Sequence, residues 1–291
     1  MSHLIHELVS CLVDPYIFQM TNIPNIPRIP SMSRVVAYYQ DPDDLSDIPA
    51  SITDIIACSL HFGYTSNKPY IHLNNHNVDA PENKAMWKNL DVAHERGTRI
   101  SIMLGGAGKA YQTMFTDFET FYTLLHDVLM EHTIITGLDL DVEESIEFPF
   151  LCQLVTRLVH DFKDLELSMA PIASALIHPT EPGMGGFCYA DVLKTLGKYI
   201  HTFHVQMYDD QFTAANVQLI MENHIWPTQL CVGMLGNANM EEILPQIEEI
   251  QHLCNDSIGG VFVWDYHTKP PNWESHVQAA LTSNQNTCTL Q

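Results

Sequence analysis

The chain has 291 residues, 46% hydrophobic and 16% charged, with 13 Lys and Arg against 35 Asp and Glu for a formal net charge of −22. That size suits one large globular domain or two small ones, and an α/β barrel typically takes about 250 residues. An acidic chain with no basic cluster excludes nucleic acid, anionic membranes and polyanionic glycans as partners, and leaves a neutral ligand.

The N-terminus, MSHLIHELVSCLVDP, is apolar but has two acids and no Lys or Arg, so it lacks the basic region of a signal peptide. No apolar run reaches transmembrane length. The chain is therefore expected to be cytoplasmic, or released without a signal peptide. Cysteines stand at 11, 58, 152, 188, 231, 254 and 288, odd in number and without metal-type spacing. They read as reduced and structural. His72 and His76 are four apart but sit in a Pro- and Asn-rich stretch, and His201 and His204 are three apart at a strand start. Loop polarity and packing account for them, so no metal and no other cofactor is expected.

Residues 1–30 read as an N-terminal extension, with a short helix over 2–12 and an extended Ile-Pro repeat, NIPNIPRIP. From 31 to 282 strand-like and helix-like runs alternate. Strands are predicted at RVVAYYQ (34–40), DIIACSLHFGY (54–64), TRISIMLGG (98–106), ITGLDLDVE (135–143), LELSMAPIA (165–173), HTFHVQMYD (201–209), QLCVGMLG (229–236) and GGVFVWDY (259–266). Most are apolar on both faces, as in a parallel sheet covered by helices. Apolar residues recur at helical spacing over 118–132, 148–162, 190–200, 215–224, 240–254 and 273–281. Eight strands with crossovers predict a (β/α)8 TIM barrel. The first crossover, DPDDLSDIPASI, is short and Pro-containing, and the Asn- and His-rich stretch 63–81 reads as a long connection shaping a cleft. The polar tail 283–291 is expected to be disordered.

The fourth strand carries the chemistry. In TGLDLDVEE, Asp139, Asp141 and Glu143 alternate with Leu, Leu and Val. Residues two apart on a strand share a face, with Cα atoms roughly 6.5–7 Å apart. Crowded acids in a low-dielectric site cannot all ionise, and an acid that keeps its proton near neutrality serves as a general acid. A solvated strand end or a divalent-metal site is the plainer alternative. In a barrel the other site residues come from the C-terminal strand ends. These read LGGAG, QMYDD and VWDY, where glycines permit close backbone approach and Tyr and Trp offer flat faces suited to a sugar ring.

TGLDLDVE resembles the DGxDxDxE signature of glycoside hydrolase family 18, the chitinases and endo-β-N-acetylglucosaminidases. Ser101 to Gly106 loosely matches the family's SxGG element, with one extra residue between Ser and the glycines, and Thr136 replaces the first signature Asp. Gln206-Met207-Tyr208-Asp209 is similar to the strand-six site of the plant class III, hevamine-like branch, and Trp264 to the tryptophan that ends strand eight. The resemblance implies retaining, substrate-assisted hydrolysis of β-1,4 linkages in N-acetylglucosamine polymers. Glu143 is the implied general acid, Asp141 holds the acetamido N–H, Asp139 shares a proton with Asp141, and Tyr208 binds the acetamido oxygen. Trp264, Gln206, Met207, Gly105, Gly106 and Tyr38 are implied to contact the sugar. Barrel packing is the lesser alternative for Tyr208 and Trp264 and an even one for Gln206 and Met207, and Glu144 points away by alternation. The implied ligand is a neutral N-acetylglucosamine-containing glycan. The enzyme alternative is an endo-β-N-acetylglucosaminidase acting on N-glycan cores. The non-enzyme alternative is a silent sugar-binding protein of the same fold.

Overall fold

The computed structural model describes residues 33–40 and 48–282. The N-terminal extension with its short helix, most of the first crossover and the polar tail lie outside the described residues.

Among the described residues, ten strands form one sheet. They are β1 (Arg34–Tyr39), β2 (Asp54–Thr65), β3 (Lys68–Leu73), β4 (His76–Asn77), β5 (Arg99–Gly105), β6 (Ile135–Asp141), β7 (Glu166–Met169), β8 (Ile200–Gln206), β9 (Leu230–Leu235) and β10 (Gly260–Trp264). The order β1-β10-β9-β8-β7-β6-β5-β2 is parallel throughout, and β1 also pairs with β2, which closes an eight-stranded barrel. Every strand predicted from the sequence is present. The helices between them are α1 (Lys84–Glu95), α2 (Ala110–Met114), α3 (Phe118–Glu131), α4 (Phe148–Asp161), α5 (Ala173–Ile177), α6 (Tyr189–Thr195), α7 (Ala214–Glu222), α8 (Met240–Leu253) and α9 (Trp273–Thr282).

Strand alternation divides the apolar residues into two cores. Val35, Ala37 and Tyr39 face outward into the large core between sheet and helices. Val36, Tyr38, Ile56, Cys58, Met103, Cys231 and Phe262 fill the barrel, with Tyr208 and Trp264 packed above them. At the N-terminal end the filling turns polar. Arg99 pairs with Asp54 at 2.8 Å, and Arg34 lies 3.8 Å from Asp54 and 3.7 Å from Glu166.

Two features depart from the sequence reading. The stretch 63–81 is largely ordered as strand. β2 runs past the barrel rim to Thr65 and pairs antiparallel with β3, from Leu60 opposite Leu73 to Thr65 opposite Lys68. The loop residues Ser66 and Asn67 both have positive φ, as a two-residue type I′ hairpin requires. His72 and His76 therefore lie on strands. Helix α1 is the second departure. Its buried Met86, Leu90 and Ala93 have helical spacing, but Lys, Asn, Asp and His between them dilute the apolar signal. The remaining long helices match their predicted spans, and α8 tolerates Pro245 inside it. Cys58, Cys152, Cys188, Cys231 and Cys254 are all free thiols.

Gly233 on β9 faces the barrel interior, where an added Cβ would lie 1.9 Å from the Phe262 ring. That ring packs on Tyr38 and His204 at centroid distances of 5.0 and 5.9 Å. Gly233→Ala is therefore expected to lower stability by about 1–3 kcal/mol, the usual cost of overpacking. Urea unfolding checks this, and an unchanged midpoint would show the interior to be loosely filled.

Candidate active site

The ladder of β6 ends at Asp141, so Glu143 stands two residues beyond the strand rather than within it. The three acids consequently form a gradient. Asp139 is 0% exposed, Asp141 is 6% exposed, and Glu143 is half-buried at the mouth.

Asp139 sits in the barrel interior and accepts three hydrogen bonds. Tyr38 Oη donates to Oδ2 at 2.7 Å, Ser168 Oγ to Oδ1 at 2.5 Å, and His204 Nδ1 lies 2.9 Å from Oδ1. Burial pushes its pKa up, but the His204 charge and the hydrogen bonds from His204, Ser168 and Tyr38 outweigh burial and hold it below the ordinary carboxylate value. Asp141 behaves oppositely. Burial, then Glu143, then Asp139 push its pKa well above the usual range. Environment thus separates two chemically identical side chains, the arrangement by which one carboxyl stays charged while its neighbour keeps a proton.

Gln206, inward at the end of β8, bridges the outer two acids. Its Nε2 lies 3.3 Å from Asp141 Oδ1 and 3.4 Å from Glu143 Oε1, and donates to the Ala170 carbonyl at 2.9 Å. Gly105 has φ +98, and an added Cβ would lie 2.3 Å from the Asp141 carbonyl oxygen. The Gly106 N–H donates to that same oxygen at 2.9 Å. These two glycines let the loop after β5 close against the β6 end, and an added Cβ on Gly106 would lie 3.5 Å from Asp141 Oδ2. Tyr208 and Trp264 are half-buried at the rim. Burial, then the charges of Asp141 and Glu143, keep the Tyr208 hydroxyl protonated far above neutrality.

Two predicted sugar contacts fall elsewhere. Met207 is 0% exposed and packs in the outer core, because it alternates with inward Gln206 and Tyr208. Tyr38 is 2% exposed beneath the cleft, where its hydroxyl serves Asp139. Both Asp139 oxygens are engaged, Oδ2 by Tyr38 and Oδ1 by Ser168 and His204. Ser101 lies low in the barrel against Gly137.

Glu144 turns outward, as alternation predicts. Its Oε1 accepts the Tyr111 N–H at 2.6 Å and ties the β6 end to the start of α2. Burial raises its pKa against the opposing pull of the Tyr111 and Gln112 N–H groups. Ser168 and His204 are the residues missed at the sequence level. The signal was available for His204, which shares the period-two face of Thr202, Gln206 and Tyr208. Among the described residues no cluster of three or more His, Cys, Asp or Glu has the arrangement of a metal site. No described helix is long and apolar enough to cross a membrane.

The two aspartates set opposite pH dependences of stability. Asp139, with a depressed folded pKa, stabilises above the ordinary carboxylate pKa of about 3.9 and loses that contribution as pH falls through its folded value. Asp141, with a raised folded pKa, favours the fold while protonated and costs stability as pH rises through its folded value. Asp139→Asn is therefore expected to cost about 3–5 kcal/mol at neutral pH, as when one member of a buried pair is removed. Asp141→Asn is expected to raise the Tm increasingly as pH rises. Thermal unfolding of both variants across pH checks the opposite trends, and parallel curves would contradict them.

No family model matches the chain, and no curated protein sequence matches it. Solved structures do match. A fungal endo-β-N-acetylglucosaminidase from glycosyl hydrolase family 18 superposes with TM-score 0.76 at 24% identity, covering 87% of this chain and 100% of the other. The chitinase ChiC from Aspergillus fumigatus gives TM-score 0.75 at 24% identity with the same coverage. A GH18 chitinase from Pseudoalteromonas aurantia gives 0.66 at 19%, covering 85% and 100%. At these identities the likeness establishes the fold: this chain is a (β/α)8 barrel of the architecture seen in those enzymes.

Proposed function

We propose that the chain is a glycoside hydrolase of family 18 that cleaves β-1,4 linkages in N-acetylglucosamine polymers by substrate-assisted, retaining hydrolysis. The observation that carries this reading is the graded triad at the C-terminal end of β6. Asp139, buried and held by three donors, lies at the bottom, buried Asp141 in the middle, and half-buried Glu143 at the cleft. Substrate assistance needs an acid that reaches the glycosidic oxygen and a second group that holds the acetamido arm while its carbonyl oxygen attacks the anomeric carbon.

In this reading Glu143, the outermost carboxyl, donates the proton to the leaving oxygen and later activates water. Asp141 and Tyr208 hold the acetamido group, Asp141 at N–H and Tyr208 at the oxygen. Gln206 keeps Asp141 and Glu143 in register. Trp264 is the apolar floor under the sugar ring, and Gly105 and Gly106 are the backbone wall beside it. The neutral substrate suits a chain of net charge −22.

A second reading is endo-β-N-acetylglucosaminidase action on N-glycan cores, favoured by the likeness to the fungal endo-β-N-acetylglucosaminidase. A silent sugar-binding protein is disfavoured by the presence of Glu143 at the mouth.

Glu143→Gln is expected to lower kcat on the order of 10²–10⁴-fold or more, with fold and ligand binding retained. Activity above about a tenth of wild type would sink the assignment of a general acid. Glu144→Gln is the control, since its amide oxygen can still accept from Tyr111. Mass spectrometry of products from chitooligosaccharides and a glycopeptide separates the two substrate readings. Cellulose oligomers, which lack the acetamido group, are expected to remain intact, and a thiazoline analogue of N-acetylglucosamine to inhibit.

A further inference from the structure

The contacts of His204 point beyond that scheme. His204 is 4% exposed on the inward face of β8, with its ring edge-on to Tyr38 and Phe262 at centroid distances of 5.9 Å each. Nδ1 meets Asp139. The ring also borders a cavity of about 10 Å³ at the N-terminal end of the barrel, at the lower limit for a single water. The aromatic packing fixes the ring plane, so the nitrogen facing Asp139 cannot turn away without displacing Phe262 or Tyr38.

The charges around His204 leave it a distinct task. From β6 it faces Asp139, from β1 Tyr38, and from β9 its register partner Cys231. Across the small cavity stand Arg34, Asp54, Glu166 and, on its own strand, His201. Arg34 is already engaged by Asp54, Glu166 and the Thr202 hydroxyl at 2.9 Å. Among the three described donors to Asp139, His204 is the one that can carry positive charge; Tyr38 and Ser168 are hydroxyls. A carboxylate at 0% exposure accepting three donors has its best partners only while ionised.

We propose that His204 is a positioning residue that holds Asp139 as an ionised carboxylate across the working pH range, so that the proton of the acid triad is confined to Asp141 and Glu143. The fixed negative charge below Asp141 then favours the protonated form of Asp141, and Gln206, touching both outer acids, bridges the pair between which the proton can move. Asp139 acts as a fixed charge in this arrangement and does not receive the proton.

The proposal rests on the hydrolase reading, and its test includes an arm independent of turnover. Asn places a neutral donor where His Nδ1 lies, Gln places it where Nε2 lies, and Phe keeps the ring without a donor. kcat and KM are measured on a soluble chitooligosaccharide from about pH 4 to about pH 8 for wild type and the three variants, with urea unfolding over the same range. His204→Phe is expected to lower kcat on the order of 10²-fold, as for misplacement of a catalytic group, and to move the acidic limb of the profile to higher pH. KM should change less than about threefold, because His204 touches no substrate. His204→Asn should recover most of kcat at the optimum while the acidic limb stays displaced, since its donor is neutral. His204→Gln should not recover kcat, and it replaces the Phe variant if that variant does not fold. The stability lost in His204→Phe should shrink as pH falls toward protonation of Asp139. A Phe profile that superposes on wild type after scaling for folded fraction, equal rescue by Asn and Gln, or a pH-independent stability loss would each overturn the proposal. If wild type cleaves no oligosaccharide, the hydrolase reading fails, and the unfolding series alone decides whether His204 keeps Asp139 ionised.

Discussion

A carboxylate with no solvent exposure sits at the centre of this barrel, and the arrangement above it depends on how that charge is satisfied. Moving an ionised group out of water costs several kcal/mol even after relaxation. Asp139 meets that cost with donors from three other strands, Tyr38 on β1, Ser168 on β7 and His204 on β8. The charge therefore cross-links strands far apart in sequence, and it fixes the radial position of β6 in the barrel. Asp141, one step up the strand, is buried beside Glu143 and Asp139 without comparable donors, so burial first, then those two charges, raise its proton affinity. The gradient from fully buried to half-exposed follows from depth along β6 and the two residues beyond it.

The outer structure keeps this gradient rigid. The loop after β5 presses two glycines against the end of β6, and Glu144 clamps the same end to the start of α2 through the Tyr111 N–H. Glu143, between Asp141 and Glu144, is held from both sides although it lies beyond the strand ladder. A side chain placed by its neighbours' contacts needs few contacts of its own, and the Glu143 carboxyl, touched by Gln206 at 3.4 Å, stays half-exposed at the mouth.

Much of this was legible in the chain. Period-two alternation in DLDVE places Asp139 and Asp141 on one face of β6, and the chain just beyond the strand keeps that alternation, with Glu144 turned outward. The same rule should have rejected Met207, which alternates with Gln206 and Tyr208, and should have admitted His204. What alternation cannot supply is depth. Tyr38 and Trp264 are both inward aromatics, yet one lies under the cleft and the other at its rim, and only the barrel register separates them. Ser168 carried no local signal, since its role arises from four strands converging on one carboxylate. The hairpin beyond β2 was obscured by composition, because Asn and His in YIHLNNHN suggest a loop, while backbone pairing with a continuing strand overrides that preference.

That hairpin has a consequence for how such a protein diversifies. β2 is one continuous strand of 12 residues that begins inside the barrel and ends beyond its rim. Its tip, at Ser66 and Asn67, is exposed, and the strand just before it packs on α3 through the Tyr64 ring, 5.3 Å from the Phe121 ring. Residues inserted there lengthen the hairpin beyond the barrel rim without altering barrel register or the aspartates on β6. Selection can therefore change the length of this turn while the buried carboxylate network below stays unchanged, and homologues are expected to vary in length at this turn before they vary around Asp139.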